Sequence, residues 1–198
     1  MAMASPMALP TPSMIAAKIP DLAAGRITRK MVCICVAPKA REDAFKLGCT
    51  ARIASEKSFY DALEVSSQPI VCSHSSSRAL CDHPRNLTDD QLRQLAARGG
   101  VAQVTLYSGF LRQNAPATIE DAISHLNHMV NIMGVDHVGI GTDFDGDGGI
   151  IGCASASELI NFTRCLLRER YSEEEIRLIW GGNFLRVMQQ VQDARTLN

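Results

Sequence analysis

From residue 55 onward the apolar positions fall into a regular alternation of helix-spaced and continuous stretches. Phe59, Ala62 and Leu63 line one face of a helix predicted over Ser58 to Val65. Pro69 then opens a short apolar strand, Ile70 to Ser73. Thr88 and Gln91 have capping-box spacing ahead of an apolar stripe of Leu92, Leu95 and Ala96, and Gly99 is the natural stop. Val101 to Tyr107 reads as the second strand. Thr118 caps a longer helix whose stripe runs through Ile119, Ala122, Ile123, Leu126, Met129, Val130 and Met133 to a stop at Gly134. His137 to Thr142 is the third strand. Ser155 with Glu158 is expected to cap a helix over Glu158 to Arg168, and Ser172 with Glu175 a short one ending near Trp180. Asn183 begins the last helix.

Strands separated by helices imply a parallel sheet built from crossovers, the α/β class. A (β/α)8 barrel usually takes about 250 residues. These 198 residues hold strands for part of one, a C-terminal half with parallel strands and helices. Residues 1–55 are atypical: Met31 to Val36 is a candidate short strand and Arg41 to Lys46 a short helix, with partial disorder expected around them. Residues 56–198 form the organised part.

Composition narrows the function. Formal net charge is -1, from 20 basic and 21 acidic residues, so no long-range field selects nucleic acid or an anionic membrane. No apolar run is long enough for a spanning helix. Met1 to Pro20 lacks a basic start, and Pro6, Pro10 and Pro12 interrupt it, which argues against a secretory signal. The seven Cys are irregularly spaced and read as reduced and buried, which suits a cytoplasmic protein.

Three constellations lie at or beyond the C-terminal ends of predicted strands, where α/β folds place their sites. His74 follows the first strand among small polar residues, as a neutral metal ligand or a hydrogen-bonded structural histidine. Arg85, after Pro84, can hold a carboxylate through both arms of its guanidinium or simply be solvated. Asp143, Asp145 and Asp147 follow the third strand in a Gly-rich loop that can bind metal, hold an ammonium group, orient water or serve as a turn. The loop opens like an EF-hand, but its twelfth position is Ala154. His125 and His128 lie on the long helix, where a solvated or capped surface is the expectation.

Taken together, Pro69-Ile-Val-Cys-Ser-His74-Ser-Ser, Pro84-Arg85-Asn86-Leu, Gly99-Gly100-Val, Gly134-Val-Asp-His-Val-Gly-Ile-Gly-Thr-Asp143-Phe-Asp145-Gly and Gly181-Gly182-Asn183-Phe-Leu-Arg-Val resemble successive motifs of the renal (membrane) dipeptidase family, over Ser58 to Gln192. The resemblance implies a (β/α)8 metalloenzyme with two zinc ions that hydrolyses dipeptides by metal-activated water. By the same resemblance His74 is a zinc ligand, Arg85 grips the substrate carboxylate, and Asp143 lies near the substrate amine and the metal-bound water. The family also has an N-terminal His-x-Asp pair, a bridging Glu and a further ligand His upstream. No His precedes His74 here, and neither Glu42 nor Glu56 matches the bridging residue. A truncated or rearranged dipeptidase is therefore expected. The alternative is a catalytically dead module that self-associates or binds a full-length relative.

Overall fold

The computed structural model describes residues 56–196. The strand expected at Met31 to Val36 and the helix at Arg41 to Lys46 lie outside the described residues. In chain order the elements are α1 (Glu56–Val65), β1 (Val71–Cys72), α2 (Asp89–Ala97), β2 (Val101–Thr105), α3 (Ser108–Leu111), α4 (Ile119–Met133), β3 (Val138–Gly141), α5 (Leu159–Arg168), α6 (Glu173–Arg177) and α7 (Asn183–Thr196). Short 3-10 turns cover Val135–His137 and Ala156–Glu158, and a π-type turn, Leu178–Gly182, joins α6 to α7.

The helices start where their caps dictate. Thr88 and Gln91 exchange side-chain and backbone hydrogen bonds at the head of α2, and Ser172 with Glu175 does the same for α6. Thr118 caps α4 with Asp121 as its reciprocal partner. Gly134 ends α4 at φ +84, a left-handed conformation that favours glycine. The cap expected from Ser155 does not form. Its hydroxyl meets Ser157, and Glu158 instead accepts the amide of Ala154 at 2.7 Å, so a 3-10 turn precedes α5. Helix α3 was not foreseen, because four residues carry no readable period.

The strands form a parallel sheet in the order β1-β2-β3. Val71 lies beside Val101 and Cys72 beside Ala102, while Ala102 through Thr105 run beside Val138 through Gly141. Parallel neighbours need crossovers, which α2 supplies between β1 and β2, and α3 with α4 between β2 and β3. Cys72, Ala102, Val104 and Val138 share one face and pack with Leu92 and Leu95 of α2 and Leu126 and Met129 of α4 in the main core. Each buried Val, Leu or Met among them stabilises the fold by about 1.5–3 kcal/mol relative to exposure.

Helix α7 crosses the opposite ends of the strands from the expected site. Asn183 Nδ2 donates to the carbonyls of Val135 (2.7 Å) and Val138 (2.8 Å). The Arg186 guanidinium donates to the carbonyls of Gly99 (3.0 Å) and Asp136 (2.9 Å). All four acceptors precede or begin β2 and β3. Val187 and Val191 close a small apolar cluster on Val71 and Val101, the first residues of β1 and β2. The C-terminal ends of the strands are left for chemistry. Among the described residues no helix is long and apolar enough to cross a membrane.

Candidate active site

His74 lies two residues past β1, where the chain leaves the sheet beside β3. A side chain at Gly141 would collide with the carbonyl oxygen of Ser73, so glycine at this point of β3 is what lets the His74 segment lie against it. Asp143 follows two residues later at φ +59. Its carbonyl accepts the amides of Gly146 and Gly148, both at 2.9 Å, and this curls the Gly-rich loop. His74 Nε2 and Asp143 Oδ1 meet at 3.4 Å, with side chains 27% and 17% exposed. Asp145 and Asp147 are exposed on the loop rim.

The Ser73 hydroxyl lies 2.6 Å from His74 Nδ1. If Nδ1–H donates to Ser73 Oγ, the Nε2 lone pair faces Asp143 and can bind an electrophile. In the other tautomer Nε2–H faces the carboxylate. Only the first suits a metal ligand, and a hydroxyl behind the ring is the outer partner that such a ligand needs.

Arg85 lies in the loop between β1 and α2. Its guanidinium carbon stands 5.4 Å from the centroid of the Phe110 ring. Its amide donates to His83 Nδ1 at 3.2 Å. Two buried polar residues hold this loop. Asn86 accepts the Ser76 amide at 3.0 Å and donates to the carbonyls of Cys81 (2.8 Å) and Phe110 (2.7 Å). His125 is 1% exposed, not on a solvated face as the sequence suggested. Its Nδ1 accepts the Ser77 amide at 3.0 Å and its Nε2–H donates to the Leu111 carbonyl at 3.0 Å, so the ring is neutral with the proton on Nε2. Burial pushes its pKa below the usual histidine value, against the opposing pull of the Leu111 carbonyl. The sequence carries no local sign of this role, because Ser77 is 48 positions away.

A cleft of about 510 Å3 opens beside Arg78, Leu80, Arg112 and Asp121, but neither His74 nor Asp143 lines it. The candidate site is therefore the paired groups and not the cavity. Among the described residues no three His, Cys, Asp or Glu side chains converge as a metal cage. Catalytic zinc normally takes about three protein ligands. His74 and Asp143 offer two donors, so the described residues fit part of a metal site and do not complete one.

Comparison with known proteins decides the family. The model of the membrane dipeptidases (peptidase family M19) matches residues 51–198, about three quarters of the chain. The chain belongs to the membrane dipeptidase family. M19 is a metallopeptidase family, and the M19 proteins are metal-dependent hydrolases. Human dipeptidase 3 is 36% identical over 160 residues, covering 79% of this chain and 33% of that protein. A Schizosaccharomyces pombe dipeptidase is 37% identical over 144 residues, covering 70% of this chain and 34% of that protein. The chain thus spans about a third of the length of these curated relatives. Among solved structures, a Rhodobacter sphaeroides metallopeptidase bound to a phosphinate mimic of the dipeptide L-Ala-D-Ala superposes with a TM-score of 0.68 at 29% identity, over 77% of this chain and 44% of that one. PvdM of Pseudomonas aeruginosa gives a TM-score of 0.73 at 27% identity, over 78% and 52%.

Proposed function

We propose that this chain forms the C-terminal part of a zinc-dependent dipeptidase with a (β/α)8 barrel, and that His74, Arg85 and Asp143 are its share of the active site. The observation that carries this reading is the meeting of His74 and Asp143 at 3.4 Å beyond the ends of β1 and β3. Three features favour a barrel segment: parallel strands in chain order, chemistry at their C-terminal ends, and a helix across the other ends. The Thr105 hydroxyl fits too, since it is buried without a hydrogen-bond partner at the end of β2.

In this reading Arg85 binds the C-terminal carboxylate of the substrate, which selects short peptides and sets their direction. Asp143 holds the free ammonium group and accepts a proton from the attacking water. His74 supplies one of the zinc ligands. Zinc supplies an activated water and a polarised carbonyl when bound. The described residues do not bring enough donors to His74 for that group, so dipeptide turnover requires further ligands.

The test is a chimera in which residues 56–198 replace the matching segment of the Rhodobacter sphaeroides metallopeptidase, assayed on glycyl-D-alanine. We expect chelator-sensitive hydrolysis that His74→Ala and Asp143→Asn each reduce by at least about 100-fold. A folded chimera with no turnover, or one indifferent to both substitutions, refutes the assignment. The isolated chain with added zinc is expected to show none.

A further inference from the structure

We propose that Phe110 is a positioning residue for Arg85: its ring, shared with His83, fixes the guanidinium so that its in-plane donors are presented to a substrate carboxylate. The proposal rests on the carboxylate-binding role assigned to Arg85 above and adds a residue that no motif in the sequence marks.

The geometry is a compact stack. The Arg85 guanidinium carbon stands 5.4 Å from the Phe110 centroid, within the range of an attractive cation–ring contact. The His83 ring lies against the same phenyl ring, centroids 4.4 Å apart and planes 39° apart. Tyr107 meets Phe110 edge-on at 4.8 Å and 78°. The stack is anchored on both sides. Phe110 is 7% exposed, and its carbonyl accepts from Asn86, the residue next to Arg85, at 2.7 Å. The Arg85 amide donates to His83 Nδ1 at 3.2 Å. The backbone and side chain of one loop therefore both close on a single ring.

Stacking suits the task chemically. A ring engages the face of a guanidinium and turns its edge N–H groups toward a carboxylate, whose two oxygens match the fork of donors. It also limits the rotamers of a long side chain before substrate arrives, so less freedom is lost on binding. His83 is suited to the place because it stays uncharged beside Arg85: burial, then Arg85, then Arg78 lower its pKa. Helix α3 has a use in this arrangement, since its single turn carries Phe110 into the stack.

The experiment follows the Arg85 Nε–H resonance of the full chain by NMR during titration with glycylglycine, and with glycylglycinamide as the uncharged control. The wild-type resonance is expected to lie upfield from ring-current shielding, to move with glycylglycine, and to be indifferent to the amide. Phe110→Leu should weaken the glycylglycine titration about fivefold, and Phe110→Tyr, which keeps a ring, should restore it. Two results overturn the platform and leave the carboxylate role standing. One is a Phe110→Leu titration equal to wild type while Arg85→Met abolishes binding. The other, which needs no variant, is a wild-type Arg85 resonance without ring-current shielding. Glycylglycine binding that survives Arg85→Met, or a wild-type resonance that glycylglycine does not move, overturns both.

Discussion

Asp143 adopts φ +59, a left-handed conformation that Asn and Asp tolerate better than other residues with side chains. Asp143→Asn should therefore keep the turn and the bonds of its carbonyl to Gly146 and Gly148, while removing the charge that faces His74. Its urea midpoint is expected to correspond to a stability within about 0.5 kcal/mol of wild type, whereas a β-branched Asp143→Val should cost about 1–3 kcal/mol by strain. Equal losses in the two variants would show that the backbone is not what selects Asp here. His125 and His83 make a second residue-level prediction. Burial lowers both pKa values below the ordinary 6.5, so the unfolded chain binds more protons than the folded one as pH falls through 6.5. Stability should be fully present above that value and decline below it, until the lowered folded-state values are passed. Urea unfolding at pH 7.5 and 5.0 measures the decline. His125→Gln, which can keep both hydrogen bonds without titrating, should flatten part of it; an unchanged slope would assign the pH dependence elsewhere.

At the scale of elements, α7 is held less by propensity than by what it touches. Asn183 is 1% exposed and donates to two carbonyls flanking the start of β3, that of Val135 (which also accepts the Val138 amide) and that of Val138. Asn183→Ala removes both bonds, while the Val135 carbonyl keeps the Val138 amide, so a loss of about 1–3 kcal/mol is expected in urea unfolding. A loss below about 0.5 kcal/mol would mean that Val187 and Val191 seat the helix unaided. This element also shows what the chain discloses in advance. The starts of α2, α4 and α6 are written locally, in a hydroxyl and its partner three residues later, and are legible without tertiary information. Ser155 and Glu158 have the same spacing, yet Glu158 is drawn back to the Ala154 amide, a competition that spacing cannot register. The sequence overstates two strands slightly: the apolar run of β2 continues through Leu106 and Tyr107 after pairing ends at Thr105, and β3 ends at Gly141, one residue short of Thr142. His125 was misplaced for a related reason. Helical spacing gives its face but not the loop of residues 75–86, whose Ser77 amide meets the ring.

For the molecule as a whole, the two halves of the chemical pair were legible because each follows a strand of a parallel sheet, which gathers strand C-termini at one end however far apart they are in sequence. Of the cysteines read as buried and reduced, Cys72, Cys81, Cys153 and Cys165 are buried. What sequence could not supply is how much of a metal site this gathering completes, and the geometry answers with two facing donors and a hydroxyl behind one of them. Zinc measured by equilibrium dialysis should follow that inventory. The isolated chain is expected to hold one weakly bound ion, lost on His74→Ala. Ser73→Ala removes the hydroxyl against His74 Nδ1, and should weaken the residual binding by about 10–100-fold, the usual effect of deleting such an outer partner. Because Ser73 presents no charge to the ion, a Coulombic role cannot mimic that result. Unaltered affinity in Ser73→Ala would mean that the Nδ1 contact does not control which nitrogen carries the proton. Two tightly held ions per chain would mean that donors outside the described residues complete the cage, and the isolated chain should then hydrolyse dipeptides.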